Sequence, residues 1–361
     1  MIKIKNWKFG EQIVTFVRQS LCKKTGNFFY AQGDHLYFIK TDSEAYPLNY
    51  EGTLSDLQSG DILTVLSKGT IQIDYRVGMS DVDIFVTNRC NSNCVMCPLS
   101  ESVRRKKDPK RNSWIYKFIH TLPEDIEYIN ITGGEPTLVG EDFFKIMGLL
   151  KEKFQHAGFQ LLTNGRSMAD EYFLRRTLPY LPYGIRFAIP MHASNARLHD
   201  EITRAKGSFY QTDRGIHNLL KYQQKVEIRI VLSQKNIGDV FHLANYITEQ
   251  YKGIFCVNFI AMEMMGCAAV HRKELWIDYS EAFQKIKKAI DWLVIHGIDV
   301  QLYNFPLCAI EHGYWQIAVK SITDYKIRYM PECTQCQVKD ICGGFFYSTK
   351  QLMKPKVTPI G

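Results

Sequence analysis

The stretch CNSNCVMCP, residues 90–98, sets three cysteines at spacing C-x3-C-x2-C. A structural zinc site takes four protein ligands, and no other cysteine or histidine lies close by in sequence to complete the set. Thiolates in threes also suit a cubane iron–sulfur cluster with one iron left open to a substrate or cofactor. Zinc remains the alternative, its fourth ligand then coming from afar.

Around this loop the chain alternates between strand and helix patterns. DVDIFVTN (81–88) is a strand candidate that feeds the cysteines, and IEYINI (126–131) is a strand that ends at TGGEP. FQLLT (159–163), GIRFAIP (184–190), VEIRIVL (226–232) and FCVNFIAM (255–262) read as further strands. WIYKFIHTL (114–122), EDFFKIMGLLKEKF (141–154) and GDVFHLANYITEQY (238–251) have helical spacing. In YSEAFQKIKKAIDWLVIHG (279–297), Phe283, Ile286, Ile290 and Leu293 share one face and Gly297 suits a C-cap. Such alternation predicts a parallel sheet. Six units fall short of the eight that close a full barrel, so residues 81–300 are expected to form an α/β, partial (βα)6 TIM-like barrel. In such folds the working groups lie after the carboxyl ends of the strands, which places the cysteine loop and GGEP on the same rim.

The flanks differ. Residues 1–80 carry two hairpin signals, NFFYAQGDHLYFIK (27–40) and DILTVLSKGTIQIDYRVG (61–78), and predict a small β-rich domain. Residues 301–350 hold Cys308, Cys333, Cys336 and Cys342 amid Pro306, Pro331, Gly343 and Gly344. Few apolar residues are available there, so metal is expected to organise that domain. Residues 351–361 read as a loose tail.

Bulk properties narrow the class. The chain has 361 residues, 45% hydrophobic and 13% aromatic, enough for a large core. No run approaches the ~18 apolar residues of a membrane span, and MIKIKNWKFGEQ lacks the apolar core of a signal peptide. A cytoplasmic location is expected. Ten cysteines, mostly clustered, then point to metal rather than disulfides. The formal charge of +8 suggests an anionic partner. Its densest run is Arg104, Arg105, Lys106, Lys107, Lys110 and Arg111, either a solvated loop or a dock for an acidic electron donor such as flavodoxin. No aromatic residues interleave it, which argues against nucleic acid.

C-x3-C-x2-C after the first strand and GGEP after the second together resemble the radical S-adenosylmethionine superfamily. The resemblance implies a [4Fe–4S] cluster on Cys90, Cys94 and Cys97, its open iron chelated by the amino and carboxylate groups of S-adenosylmethionine. It also implies that Gly133, Gly134 and Glu135 line the amino group. Met96 stands where the superfamily usually carries an aromatic residue, and its thioether can still cover an adenine face. Thr163 and Asn164 of TNG are candidate cofactor contacts, with an ordinary Asn-Gly turn as the alternative. His192 is a further candidate, a structural histidine being the other reading. The stretch HDEITRAKGSF (199–209) resembles radical enzymes that act on peptides. Within it, Arg204 is a candidate for the cofactor carboxylate or a plain surface ion pair. Cys267 is either a hydrogen donor or an inert thiol.

The set Cys308, Cys333, Cys336 and Cys342 resembles Twitch-type auxiliary domains, the shortened relatives of SPASM domains, which hold a second [4Fe–4S] cluster; spacing alone leaves zinc open. CNSNCVMC, HDEITRAKGSF, NFPLCAI, SITDYKIRYMPEC and CGGFF together are most similar to the C-type radical maturases of the His-Xaa-Ser peptide system. That family implies a ribosomal peptide substrate, a second radical maturase and a small helper protein. The expected function is hydrogen abstraction from a peptide side chain by a 5′-deoxyadenosyl radical. The alternatives are a small-molecule or nucleotide-modifying member like the molybdopterin cyclases, and a non-enzymatic iron–sulfur electron carrier. The β-rich N-terminal region is either a grip for a leader peptide by strand addition or a simple cap.

Overall fold

The computed structural model describes residues 2–18, 26–41, 44–106, 111–322 and 326–361. Cys22, Lys107 and Lys110 lie outside the described residues, as does the side chain of Arg111. The chain divides into two compact units, Met1–Ile84 with Pro109–Asn130 and Phe144–Phe159, and Phe85–Asp108 with Ile131–Phe143 and Gln160–Gly361.

In the first unit a six-stranded sheet runs in the order Ala45–Leu48, His35–Ile39, Phe28–Gln32, Gln12–Arg18, Ile62–Val65, Ile71–Tyr75. Both hairpins expected from the sequence are present, with Phe28 opposite Ile39 and Val65 opposite Ile71. Strand Gln12–Arg18 pairs parallel to Phe28–Gln32 and antiparallel to Ile62–Val65, which joins the two hairpins into one sheet. Alternating residues of one face, Val14, Phe16, Phe29, Phe38, Leu63 and Val65, make the core. Trp7 packs its ring edge-on against Phe29 and Phe38, at 6.0 and 5.1 Å. Trp114, from the helix Arg111–Thr121, donates through Nε1 to Thr64 Oγ1 at 2.8 Å. The N-terminal strands therefore share their unit with segments from later in the chain.

The main sheet contains β1 (Asp81–Phe85), β2 (Tyr128–Thr132), β3 (Gly158–Leu162), β4 (Arg186–Pro190), β5 (Lys225–Val231), β6 (Cys256–Ile260), β7 (Asp299–Tyr303) and β8 (Ala318–Val319). Its strand order follows the chain order from β1 to β8, an open, curled parallel half-barrel. From β3 onward each strand pairs parallel with the next, as in Phe187 beside Leu161 and Val226. The six expected strands are all there. The sheet extends past residue 300 because β7 and the two-residue β8 continue the same parallel ladder. Residues 301–350 are thus joined to the barrel by backbone pairing.

Helices cover the outer face. In Tyr279–Ile295 the residues Phe283, Ile286, Ile290 and Leu293 are buried, as their spacing predicts. Asp278 caps its start by accepting from Ser280 N at 3.1 Å. Gly297 follows its end in the left-handed region, φ 75°. Because the strands are parallel, the loops after β1, β2 and β3 leave from one edge of the sheet.

The tail is not loose. Gln337 N donates to Ile360 O at 2.9 Å, Pro355 is buried, and Val357, Thr358 and Pro359 line a cavity with the second cysteine set. Nor are residues 301–350 as poor in apolar packing as expected: Phe305, Leu307, Ile310, Ile322, Phe345 and Phe346 are buried there, and the end of the chain closes the cysteine cavity.

Candidate active site

The cysteine loop is held on every side by backbone groups. Asn93 N donates to Thr203 O at 2.8 Å, Val95 N to Ile202 O at 2.9 Å, and Cys97 O accepts from Cys267 N at 2.9 Å. Arg166, just after TNG, donates to Asn91 O and, at 3.1 Å, to Ser92 Oγ. Asn164 Nδ2 donates to Asn91 Oδ1 at 2.6 Å and approaches Cys90 Sγ at 3.8 Å.

GGEP meets the root of that loop. Gly134 N donates to Thr87 O at 2.5 Å and Glu135 N to Arg89 O at 2.7 Å. A Cβ on Gly134 would lie 2.2 Å from Arg89 O, and one on Gly133 would lie 2.6 Å from Thr87 O. Both positions therefore need glycine for the approach of two loops, whatever else binds there. Glu135 is wholly buried. Its Oε1 accepts from Thr163 Oγ1 at 2.7 Å, Thr137 Oγ1 at 2.8 Å and Thr137 N at 3.2 Å, and its Oε2 accepts from Asn164 N at 2.7 Å. Burial pushes this carboxyl above the usual range, and the four hydrogen bonds pull against that. In this structure the side chain ties GGEP to TNG.

Burial raises all three loop thiols, Cys94 to about 12. Cys90 and Cys97 add to the shift at Cys94 by like-charge repulsion, and the Arg104 guanidinium opposes it. Thiols in such a setting ionise when a cationic group takes the place of their protons. Among the described residues, no three Cys, His, Asp or Glu side chains are drawn together as on a single ion. The fit to an iron–sulfur cluster rests on donor chemistry: three mutually coupled thiols beside a buried Arg104 Nε that has no partner among the described residues.

The remaining expected residues are placed as follows. Met96 is buried in an apolar cluster with Val95, Ile202, Met262 and Met264. Arg204 is exposed in the left-handed region, φ 49°, with Nη2 3.2 Å from His271 Nε2. His192 is buried, its N–H donating to His199 Nδ1 at 3.3 Å, and its own Nδ1 has no partner among the described residues. Burial lowers the pKa of His192 to about 3 and of His199 to about 4, so both are neutral near pH 7. Asp200 explains much of HDEITRAKGSF. It accepts from Gly207 N at 2.6 Å, Ser208 Oγ at 2.9 Å and Phe209 N at 2.9 Å, pinning the start of the helix Ser208–Lys221. Cys267 Sγ donates to Leu99 O at 3.5 Å and accepts from Arg104 Nη2 at 3.3 Å.

Sequence reasoning missed the polar inner face of the sheet. Glu227 on β5 is wholly buried and takes Arg186 at 3.2 Å, Arg229 at 3.0 Å and Gln160 at 2.8 Å. Next in register beside Arg229 comes Asn258 on β6, wholly buried, with neither amide atom partnered among the described residues. The signal was present as two charges, Glu227 and Arg229, set two positions apart in VEIRIVL. The second cysteine set also converges. Cys308, Cys333, Cys336 and Cys342 line one cavity, and burial raises Cys308 and Cys333, with the other cysteines adding.

Two outcomes follow from these contacts. Gly134→Ala should cost about 1–3 kcal/mol by overpacking and lower iron uptake, read by denaturant midpoint and metal analysis; Gly238→Ala, in open space, should leave both unchanged. The buried histidines bind protons more readily when unfolded, so stability should fall as pH drops from about 6.5 toward 4. His199→Gln should flatten that arm of a pH–stability profile.

Residues 84–247 match the family model described as the Radical SAM superfamily. A Methanocaldococcus jannaschii protein provisionally named a glycyl-radical enzyme activating enzyme is 32% identical over 96 residues, 24% of this chain and 25% of that protein. An uncharacterized protein of the same organism is 24% identical over 170 residues, 47% of this chain and 59% of that one. The chain thus spans between a quarter and about three fifths of these relatives' length. The crystal structure of Streptococcus suis SuiB bound to S-adenosylmethionine is similar in fold, with TM-score 0.50 and 13% identity over 64% of this chain and 51% of that chain. The residues that match this family model include both the three thiols after β1 and the Gly-Gly-Glu-Pro loop after β2 that bonds to the root of the cysteine loop.

Proposed function

We propose that this chain is a radical S-adenosylmethionine enzyme that modifies a side chain of a ribosomally made peptide, in the manner of the His-Xaa-Ser maturases. The observation that carries the radical chemistry is the rim of the sheet, where the loops after β1, β2 and β3 are bonded into one block around three half-buried thiols. Cys90, Cys94 and Cys97 would hold the cluster, and the four cysteines of the C-terminal cavity would hold an auxiliary one. When bound, the first cluster supplies the electron that splits S-adenosylmethionine, and the radical so released takes hydrogen from the substrate.

The chain's own residues hold and shield that chemistry. Asn164 and Arg166 fix the cysteine loop, Glu135 fixes Thr163 and Asn164, and the apolar cluster around Met96 excludes water from Cys94. The peptide part of the reading is supported by HDEITRAKGSF, by the second cysteine set, and by the inner face of the sheet. There Asn258 offers a free donor and a free acceptor, the complement of an amide group. An open groove lined by Arg89, Cys90, Arg104 and Arg105 suits an acidic electron donor. Of the two edges of the N-terminal sheet, Ala45–Leu48 carries Pro47, which cannot donate to an added strand. On the other edge, Ile71–Tyr75, Ile71 N already donates to Ile2 O at 3.1 Å, so a leader peptide would add beside its later residues.

Reconstituted without oxygen and given a strong reductant, the protein should make 5′-deoxyadenosine from S-adenosylmethionine. Ala at Cys90, Cys94 or Cys97 should abolish this, and Cys333→Ala should lose about half of the iron. Zinc without iron or sulfide at the loop would end the radical reading. A co-expressed candidate peptide should change mass by mass spectrometry; an unchanged peptide alongside 5′-deoxyadenosine formation would move the substrate to the small-molecule class. Arg105→Glu should slow reduction by a flavodoxin in a salt-sensitive way and leave reduction by dithionite unchanged.

A further inference from the structure

The basic run beginning at Arg104 reads in sequence as solvated, yet its first residue folds back onto the cysteine loop. Arg104 ends the short helix Glu101–Arg104. Its Nη1 donates to Ser92 O at 3.2 Å, and its Nη2 donates to Asn93 Oδ1 and to Cys267 Sγ at 3.3 Å. Cys267 is itself fixed, its N–H on Cys97 O at 2.9 Å and its thiol on Leu99 O at 3.5 Å. One guanidinium thus bridges the chain just before Cys94 and a segment bonded to Cys97. Arg104 also lines one groove with Cys90, Ser92 and Asn93, which sets its charge beside the cysteine loop. Its Nε is buried with no partner among the described residues, which leaves one donor free beside the thiols.

The loop does not depend on Arg104 for its shape. Asn93 N on Thr203 O, Val95 N on Ile202 O, and Arg166 on Ser92 Oγ already hold it. What Arg104 adds is a permanent charge, since a guanidinium does not deprotonate in proteins. Reduction of a thiolate-held cluster adds one electron, from an outside one-electron donor, to a group that is already anionic. A cation and a donor held close by favour the reduced form, because cluster potentials follow local charge and hydrogen bonds to sulfur. The apolar cluster packed against half-buried Cys94 lowers the local dielectric and strengthens the effect.

Resting on the radical SAM reading of the site, we propose that Arg104 is a positioning residue whose fixed charge raises the reduction potential of the cluster on Cys90, Cys94 and Cys97, with Cys267 as its tether. The test is a redox titration of the reconstituted full chain, followed by electron paramagnetic resonance on the signal that changes when S-adenosylmethionine is added. That choice separates the first cluster from any auxiliary one. Arg104→Gln should lower the reduced-to-oxidised ratio at a given poise about tenfold, which is about 59 mV for one electron. Arg104→Lys should keep most of the wild-type ratio, and Cys267→Ala should shift it in the same direction as Arg104→Gln but by less. An unchanged potential in Arg104→Gln overturns the proposal. So do equal shifts in the Gln and Lys variants, or loss of iron from both, since each would make Arg104 a scaffold residue only. If the unaltered protein gives no signal that responds to S-adenosylmethionine, the functional reading fails as well, and that result is distinct from the other three.

Discussion

A wholly buried carboxylate with four donors, Glu135, sets the geometry on which the site depends. Leaving such a charge unpaired costs several kcal/mol, so the loops that supply its donors are not free to drift. Thr163 and Asn164 come from the loop after β3, and Thr137 from the turn after GGEP itself. The backbone of the same segment donates into Thr87 and Arg89 at the root of the cysteine loop. Three consecutive loops of a parallel sheet are thereby locked together through one side chain and two amides. The two glycines before Glu135 follow from this, because a side chain at either would collide with the cysteine loop's backbone.

The rest of the unit handles charge in the same way. Glu227 is buried on the inner face of the sheet between two arginines and a glutamine, and removing it would leave Arg186 and Arg229 without their buried counter-charge. At the rim, the raised thiols of Cys94 and Cys97 have the Arg104 guanidinium as their opposing charge. Both arrangements place ionisable groups where water is scarce and give each a specific counter-charge. This is costly for stability alone, and its natural use is to hold a charged or polar guest. Asn258, next in register to Arg229, has two unspent hydrogen-bonding atoms in the same neighbourhood.

Much of this was legible in the residues. Period-2 and period-3.6 patterns placed the strands and the face of the helix Tyr279–Ile295, and sequential βα units dictated the strand order. The three-cysteine loop and GGEP were visible as short-range patterns. What the sequence hid were side chains that act across long separations. Arg104 reaches Cys267, 163 positions away, and no local pattern marks it apart from its charged neighbours. Glu135 reads as a contact for an ammonium, and no local pattern shows that Thr163 and Asn164 donate to its oxygens. HDEITRAKGSF reads as a family resemblance, and no local pattern shows that its Asp200 accepts from Gly207, Ser208 and Phe209 at the start of a helix.

The end of the chain completes the argument about small cores. Cys308, Cys333, Cys336 and Cys342 occupy short 3-10 turns and irregular backbone around one cavity. Phe345 packs against Tyr279 at 5.7 Å, and Met264 N donates to Thr349 Oγ1 at 3.0 Å, so the segment leans on the barrel. Val357, Thr358 and Pro359 then close the cysteine cavity from the other side. Short turns and a proline-bearing tail contribute few ladder hydrogen bonds to that arrangement. Binding of the proposed auxiliary cluster by these four thiols would add to the folding energy of the C-terminal region.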